Sequence, residues 1–226
     1  RETTENMSNF VRFMNYKTFI DSFSKVNDFS LPGISAQLLA APLHRRNEMP
    51  PASVYTKNAK RAAVLLFCYP KGEQMYLSLI KRSEYQGVHS GQISFPGGKS
   101  ELSDASLEET ALRECREELG VSLEAVAKLI PLTPLYIPPS NFLVSPFITY
   151  NPQDPDFFPD AREVASHIEL PLFKLMELEI EQRKLTEGPL QGSPVPCYFY
   201  QGHIIWGATA MILTEFKVFL AALSTN

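Results

Sequence analysis

The chain has no apolar run of about 18 or more residues, so its sequence offers no candidate for a membrane-spanning helix. No signal-peptide pattern is recognised, and Met7 or Met14, rather than Arg1, is expected to be the natural first residue.

An excess of positive charge is also absent, because 21 Lys and Arg residues stand against 25 Asp and Glu residues. General nucleic-acid-binding proteins usually carry a basic face, so we expect neither nucleic acid nor a membrane as partner.

Cysteine is scarce. The three cysteines, Cys68, Cys115 and Cys197, are widely spaced and form no CxxC motif and no Cys/His metal-binding pattern. This usage favours a reducing, cytoplasmic setting. The sequence leaves open whether the chain forms a homodimer.

The composition is typical of a globular protein, with 44% apolar and 20% charged residues. The length of 226 residues suits one domain with an extension. Residues 1–60 are expected to form a helix at 15–28 and a proline-punctuated extension that wraps over the same domain. The main body of the domain is expected over 61–226.

Residues 61–226 mix strand and helix patterns. Apolar runs bounded by Pro and Gly predict strands, and apolar residues at helical spacing predict helices. Strands are predicted at 62–69, 75–80, 91–95, 125–132 and 142–150, and a hairpin at 198–206. Helices are predicted at 105–119, at both ends of 163–180, and at 208–223. Asp104 is the predicted N-cap of the first of these helices, and Gly120 lies just past its end. The expected fold class is α/β.

Three glutamates in the helix predicted at 105–119 form the strongest candidate site. Glu114, Glu117 and Glu118 are at positions i, i+3 and i+4, so their carboxylates project from one helix face. Like charges so close cost about a few tenths of a kcal/mol per pair, and a cation bound between them reverses that effect. Carboxylate oxygens are the ligands that Mg²⁺ and Mn²⁺ prefer.

The alternative interpretation is a solvated acidic helix face, which is common. Two features favour a metal site instead. Leu112, Cys115 and Leu119 line the opposite, apolar side of the helix, and Cys115 is expected to be a small buried apolar residue. A predicted strand and the Gly97-Gly98 turn precede the helix, and glycine lets the backbone approach a metal or phosphate closely.

The stretch GGKSELSDASLEETALRECREELGV, from Gly97 to Val121, resembles the Nudix box, G-x5-E-x7-R-E-U-x-E-E-x-G-U, in which U is apolar. The second half of the box is complete and begins at Arg113. The gap from Gly98 to Arg113 is one residue longer than the formula. Asp104 therefore stands closest to the isolated Glu of the formula, in a loop that must bulge.

This resemblance implies a Nudix-type α/β/α sandwich around a mixed β-sheet. It also implies a hydrolase in which a metal-activated water breaks a P–O–P bond of a small nucleotide substrate. Glu114, Glu117 and Glu118 would ligate Mg²⁺ or Mn²⁺ together with the Gly97 carbonyl, and Arg113 would brace the carboxylates. Positioning and charge neutralisation lower most of such a barrier.

The residues before the box are similar to the block that precedes it in coenzyme A pyrophosphatases, L-L-T-x-R-S-x3-R-x3-G-x3-F-P-G-G-x2-D. The positions that fit are Arg82, Ser83, Gly91 and 95–98. Gly87 replaces the second Arg of the block, and Glu101 replaces its Asp. The longer box is also typical of that subfamily, as are three later segments, at 139–140, 142–146 and 205–210.

The similarity to this subfamily implies hydrolysis of coenzyme A or an acyl derivative. The missing second Arg removes a phosphate-binding fork, so another nucleoside diphosphate derivative, such as ADP-ribose or a dinucleotide, is the alternative substrate. A non-catalytic module that senses a nucleotide is a third hypothesis. Loss of a box carboxylate would favour that module, and none is lost.

Four basic side chains are candidates for substrate contact. Lys81, Arg82 and His89 precede the Gly-Gly turn, and a salt bridge or a surface position is the alternative for them. Arg45 lies in the basic patch His44-Arg45-Arg46 and is the candidate for contact with a 3′-phosphate, the alternative being a solvated loop. Glu163 is either a distal carboxylate that serves as metal ligand or base, or a plain Glu at a helix N-terminus.

Overall fold

The computed structural model describes residues 15–24, 26, 30–42, 45, 58–83, 91–185 and 191–223, and these fold around two β-sheets. The larger sheet contains β1 (Lys60–Lys71), β2 (Gln74–Arg82), β3 (Ile93–Ser94), β4 (Gly97–Lys99), β5 (Ile130–Pro131), β6 (Leu135–Ile137), β7 (Phe142–Tyr150) and β8 (Val164–Pro171). The smaller, antiparallel sheet contains β9 (Glu181–Lys184), β10 (Pro194–Tyr200) and β11 (His203–Trp206). The helices are α1 (Tyr16–Ser24), α2 (Gly33–Leu39), α3 (Leu107–Leu119), α4 (Leu172–Glu177) and α5 (Gly207–Leu223), with a 3₁₀ turn at Pro138–Ser140.

β1 forms the centre of the larger sheet because its apolar run is covered on both faces. It pairs in parallel with β7 and antiparallel with β2 and β4, so the sheet is mixed. β8 pairs antiparallel with the other edge of β2, from Tyr76 opposite Pro171 to Arg82 opposite Val164. β2 thereby carries Arg82 to the end of the sheet where β4 begins.

Helices cover both faces of the larger sheet. α3 packs on one face, where Ala111, Cys115 and Leu119 join the apolar cluster around Leu65 and Phe67. α1 and α5 pack on the opposite face within the main core. The predicted α/β/α arrangement around a mixed sheet is confirmed. None of the helices in the described ranges combines the length and the apolar character needed to cross a membrane.

The helix predicted at 15–28 is confirmed over Tyr16–Ser24, and it docks through aromatic contacts. Phe19 and Phe23 are buried and stack at 5.6 Å, and each meets the ring of Tyr150 edge-on, at 5.9 and 5.2 Å. The proline-punctuated stretch also contains a helix that the sequence did not predict, α2. Its neighbours Ala40 and Ala41 are buried in the same core.

Two predicted elements differ from the structure. The segment 163–180 was predicted to be helical at both ends, but its first half is strand β8, and only Leu172–Glu177 is helical. Val164 and Ile168 satisfy both helical and alternating spacing, and pairing with β2 selects the strand. The strand predicted at 125–132 is reduced to Ile130–Pro131.

Candidate active site

α3 is held in place by defined caps at both ends. The N-cap Ser106 accepts a hydrogen bond from the Glu109 N–H (3.2 Å), and the Glu109 side chain accepts one from the N–H of the preceding residue, Ala105 (2.6 Å). The prediction of Asp104 as N-cap is therefore wrong, although the pattern S-x-x-E was present in the sequence. Gly120 closes the helix in the left-handed conformation (φ 61°), as predicted.

Gly97 and Gly98 let β4 lie directly against β1 and α3. Gly97 has φ 151°, and a Cβ atom there would overlap the carbonyl oxygen of Ala63 and the Cα of Val64 (2.6 Å). A Cβ atom on Gly98 would overlap the carboxylate of Glu114, at 2.5 Å from its carboxyl carbon. The two glycines are therefore required for the close approach of backbone and carboxylate.

Glu118 is the most enclosed carboxylate of the three, with no exposed surface. Its Oε2 accepts a hydrogen bond from the Gly97 N–H at 2.8 Å. Its Oε1 lies 3.1 Å from the Arg82 guanidinium, yet it receives no hydrogen bond of acceptable geometry from the described residues. Burial raises the pKa of Glu118 to about 7, and the nearby charge of Arg82 and the Gly97 N–H only partly offset that cost.

Arg113 lies among the other carboxylates and donates hydrogen bonds to them. Its Nη1 donates to Glu114 (2.9 Å) and Glu117 (3.0 Å). Its Nε and Nη2 donate to the two carboxylate oxygens of Asp104, at 2.9 and 3.0 Å. This fork, with a backbone hydrogen bond from Glu101, holds the pKa of Asp104 well below its usual range. Asp104 therefore anchors the brace from the loop before α3.

A divalent cation fits part of this arrangement directly. Among the residues that the structure describes, no three His, Cys, Asp or Glu side chains converge on a single point. Glu117 is drawn towards Arg113 with 56% of its side chain exposed, so it needs another rotamer to join Glu114 and Glu118. Glu118 Oε1 is buried without a hydrogen bond, and burial also raises the pKa of Glu114. Buried carboxylate oxygens whose hydrogen bonding is incomplete suit a hard cation, with the Gly97 carbonyl beside them.

The candidate substrate-binding residues fall in different places. Arg82 lies at the carboxylates, with Nη1 3.5 Å from the Gly97 carbonyl oxygen, and so makes the salt bridge that was its alternative. Lys81 lies next to Arg82 in β2 and therefore faces the opposite side of the sheet, within electrostatic reach of His203. Arg45 donates to the carbonyl oxygen of Tyr136 in β6. The prediction for His89 lies outside the described residues, and so do the two neighbours of Arg45 in the basic patch.

Glu163 lies close to the carboxylates of α3. Its carbonyl oxygen accepts a hydrogen bond from the Ser83 N–H at 2.8 Å, and its charge contributes to the raised pKa values of Glu114 and Glu118. Because Glu163 precedes strand β8, its interpretation as a residue at a helix N-terminus is wrong.

Comparison with known proteins supports the geometry. The family model of the NUDIX domain matches residues 59–189. The chain is 34% identical to the uncharacterized Nudix hydrolase NudL of Yersinia enterocolitica, over 74% of this chain and 84% of that protein. It is 32% identical to the human mitochondrial coenzyme A diphosphatase NUDT8, over 77% of this chain and 74% of that protein.

Among solved structures, the Nudix hydrolase RenU of M. smegmatis aligns with a TM-score of 0.50 and 16% identity, over 73% of this chain and 87% of that one, which shows a similar fold. The family match covers more than half of the chain, and two carboxylates of the box, those of Glu114 and Glu118, lie against Gly98 and Gly97. The chain therefore belongs to the Nudix hydrolases.

Proposed function

We propose that this chain hydrolyses the pyrophosphate bond of coenzyme A or acyl-coenzyme A with Mg²⁺ or Mn²⁺. Nudix hydrolases generally use divalent cations and act on small nucleotide-derived substrates. The observation that carries the proposal is the placement of Glu118 and Glu114 against Gly97 and Gly98, with an Oε1 atom of Glu118 short of a hydrogen bond. Such a site binds a hard cation, which supplies an activated water and neutralises phosphate charge.

The protein's own side chains then hold the reacting groups. Arg113 fixes the rotamer of Glu114 and is itself fixed by Asp104. Arg82 is proposed to contact the diphosphate, because its guanidinium lies at the carboxylates and presents several donors. Glu163 is proposed as a distal carboxylate that serves either as metal ligand or as the base that accepts a proton from the attacking water.

Two findings support coenzyme A as the substrate. The block that resembles coenzyme A pyrophosphatases contains Arg82, which lies 3.1 Å from Glu118. One relative, NUDT8, is named a coenzyme A diphosphatase. Gly87, where the subfamily block has Arg, favours the second candidate, hydrolysis of ADP-ribose or a dinucleotide.

The test compares kcat/KM for coenzyme A, dephospho-coenzyme A and ADP-ribose with Mg²⁺. Coenzyme A is expected to be the best substrate. Arg45 remains the predicted contact for its 3′-phosphate, and a charge-assisted bond of about 1.5–3 kcal/mol corresponds to roughly tenfold to a hundredfold. Arg45→Ala is expected to shrink the difference between coenzyme A and its dephospho form, whereas Arg183→Ala in β9 is not. If ADP-ribose is hydrolysed at least as well as coenzyme A, the coenzyme A assignment is wrong and only the hydrolase class remains.

A further inference from the structure

A groove of about 400 Å³ runs along β8 at the edge of the larger sheet. β8 pairs with β2 alone among the described strands, so its second edge faces this groove. The residues that line this β8 groove include Lys71, His167, Glu169, Tyr200 and His203. The volume lies within the range of small-molecule sites.

The floor of the β8 groove is fixed by hydrogen bonds. Glu169 accepts a hydrogen bond from the Tyr69 hydroxyl (2.8 Å) and pairs with the Lys71 ammonium (2.8 Å). Tyr200 donates its hydroxyl proton to the Glu169 carbonyl oxygen at 3.3 Å. The ring of His167 is held by the hydroxyl of Ser78 at 3.0 Å. The groove is therefore preorganised, and its one carboxylate and its lysine neutralise each other.

The rim of the β8 groove contains polar side chains whose hydrogen-bonding groups are not paired with other described residues. The side chains of Ser166, Gln201 and His203 line it and make no hydrogen bond to any residue in the described ranges. Burial, and secondarily the charge of Lys81, lowers the pKa of His203, so its imidazole is neutral at pH 7. These groups suit a neutral ligand with hydrogen-bond donors and acceptors.

The groove has a defined position relative to the carboxylates. Val164 lies opposite Arg82, Ser166 opposite Lys81, and Pro171 opposite Tyr76. The groove therefore begins about 3–7 Å along the strand from Arg82 and extends away from it for about 17 Å. Arg82 and Lys81 lie at the end of the groove nearest the carboxylates, on opposite faces of β2, whereas the distant end contains the Lys71–Glu169 ion pair.

We propose that the β8 groove binds the uncharged diamide arm of the diphosphate substrate, a refinement that rests on the proposed hydrolysis of coenzyme A. This arm is a chain of about a dozen bonds, as long as about four extended residues or roughly 13 Å, which the groove accommodates. Its phosphate end lies at Arg82, its chain passes around the edge of β8, and its two amides and hydroxyl meet Ser166, Gln201 and His203. Among the described residues, the distant end of the groove offers no free cation to a phosphate, because Lys71 is paired with Glu169. The phosphate is therefore placed at the other end.

The first test uses the double variant Gln201→Ala/His203→Ala, with Gln182→Ala in the exposed strand β9 as the matched control. kcat/KM is measured for coenzyme A and for adenosine 3′-phosphate 5′-diphosphate, which has the diphosphate but lacks the arm. The ratio of the two values is expected to fall about tenfold in the double variant, because two hydrogen bonds are lost. The control is expected to keep the wild-type ratio. An unchanged ratio in the double variant overturns the proposal.

The second test measures binding without turnover. Calorimetry with 4′-phosphopantetheine is expected to give a Kd about tenfold higher for the double variant than for wild type, and equal Kd values for adenosine 3′,5′-bisphosphate. If this holds while coenzyme A is not hydrolysed, the groove assignment stands and the proposed function fails. If coenzyme A is hydrolysed but the variant binds 4′-phosphopantetheine like wild type, the groove assignment fails alone. Weaker binding of adenosine 3′,5′-bisphosphate instead assigns the groove to the nucleotide half and also overturns the proposal.

Discussion

Glu118 in α3 and Glu215 in α5 are both fully buried, yet their carboxylates differ in how completely they are hydrogen-bonded. Glu215 accepts hydrogen bonds from the Gly33 N–H (3.2 Å), the Gln37 side-chain amide (2.7 Å), and the N–H (3.2 Å) and hydroxyl (2.6 Å) of Thr133. Glu118 accepts one hydrogen bond, from the Gly97 N–H. Within the described ranges, its second oxygen has only an ion-pair contact.

This difference separates a structural carboxylate from the proposed metal ligand. A buried charge is tolerated when its oxygens are hydrogen-bonded on all sides. Glu215 meets that condition and ties α2 and the Thr133 loop to α5. Glu118 does not meet it, and a bound cation would supply what is missing. Burial alone therefore does not distinguish the proposed metal ligand Glu118 from Glu215, whereas the unsatisfied oxygen of Glu118 does.

The largest expected effect is on turnover. Glu118→Gln removes the charge that holds a cation and is expected to lower kcat by roughly a hundredfold or more. Glu215→Gln is expected to keep kcat within about threefold, because Glu215 contacts only structural groups. Phosphate release from the products, after coupling to a phosphatase, measures both variants. Equal losses in the two variants would contradict the distinction between the carboxylates.

The second effect is on folding stability. Glu215→Ala leaves the donors of Gly33, Gln37 and Thr133 without their acceptor, so the free energy of unfolding is expected to fall by about 3 kcal/mol. Urea denaturation monitored by circular dichroism measures this change. Glu118→Ala is the comparison, with both variants measured without metal. Its free energy of unfolding is expected to fall by less than that of Glu215→Ala. A larger loss in Glu118→Ala would reverse the assignment of roles.

The third effect is on the pH dependence of stability in excess chelator. The folded pKa of Glu118, about 7, is above its ordinary value of 4.5. The folded state therefore holds the proton more tightly, and metal-free stability is expected to fall as pH rises from about 4.5 to about 7. The total fall is expected to be about 1–3 kcal/mol. Unfolding free energies of wild type and Glu118→Gln, measured across this range, test the expectation. If the free energy of unfolding of Glu118→Gln falls equally over this pH range, the pH dependence comes from other groups.

The smallest effect is the stabilisation by metal. Saturating Mg²⁺ or Mn²⁺ is expected to raise the Tm of wild type by about 5 °C, since a ligand that binds only the folded state stabilises it by mass action. Glu215→Gln is expected to show the same rise from a lower starting Tm, and Glu118→Gln a much smaller one. Differential scanning calorimetry provides the measurement. A full rise in Glu118→Gln would place the metal elsewhere.

The sequence predicted the elements whose signals are local. Spacing and capping predict strand β1 and helix α3 with its end at Gly120. Spacing also predicts the shared helix face of Glu114, Glu117 and Glu118. The three carboxylates could be identified because i, i+3 and i+4 positions coincide on any α-helix. The strand β8 could not be predicted, since Val164 and Ile168 fit both a helix and a strand.

The sequence by itself determined the family, the reactive helix and the glycines that let backbone approach it, because each depends on residues close together in the chain. Only the tertiary structure shows how completely each buried glutamate is hydrogen-bonded. Glu118 and Glu215 are alike in chemistry and burial, and they differ in donors that come from distant segments, Gly97 for one and Thr133 for the other. The β8 groove likewise exists only after β8 pairs with β2 and the turn at His203 packs beside it. Hydrogen-bond satisfaction is a property of three-dimensional neighbours, and no local pattern specifies those neighbours.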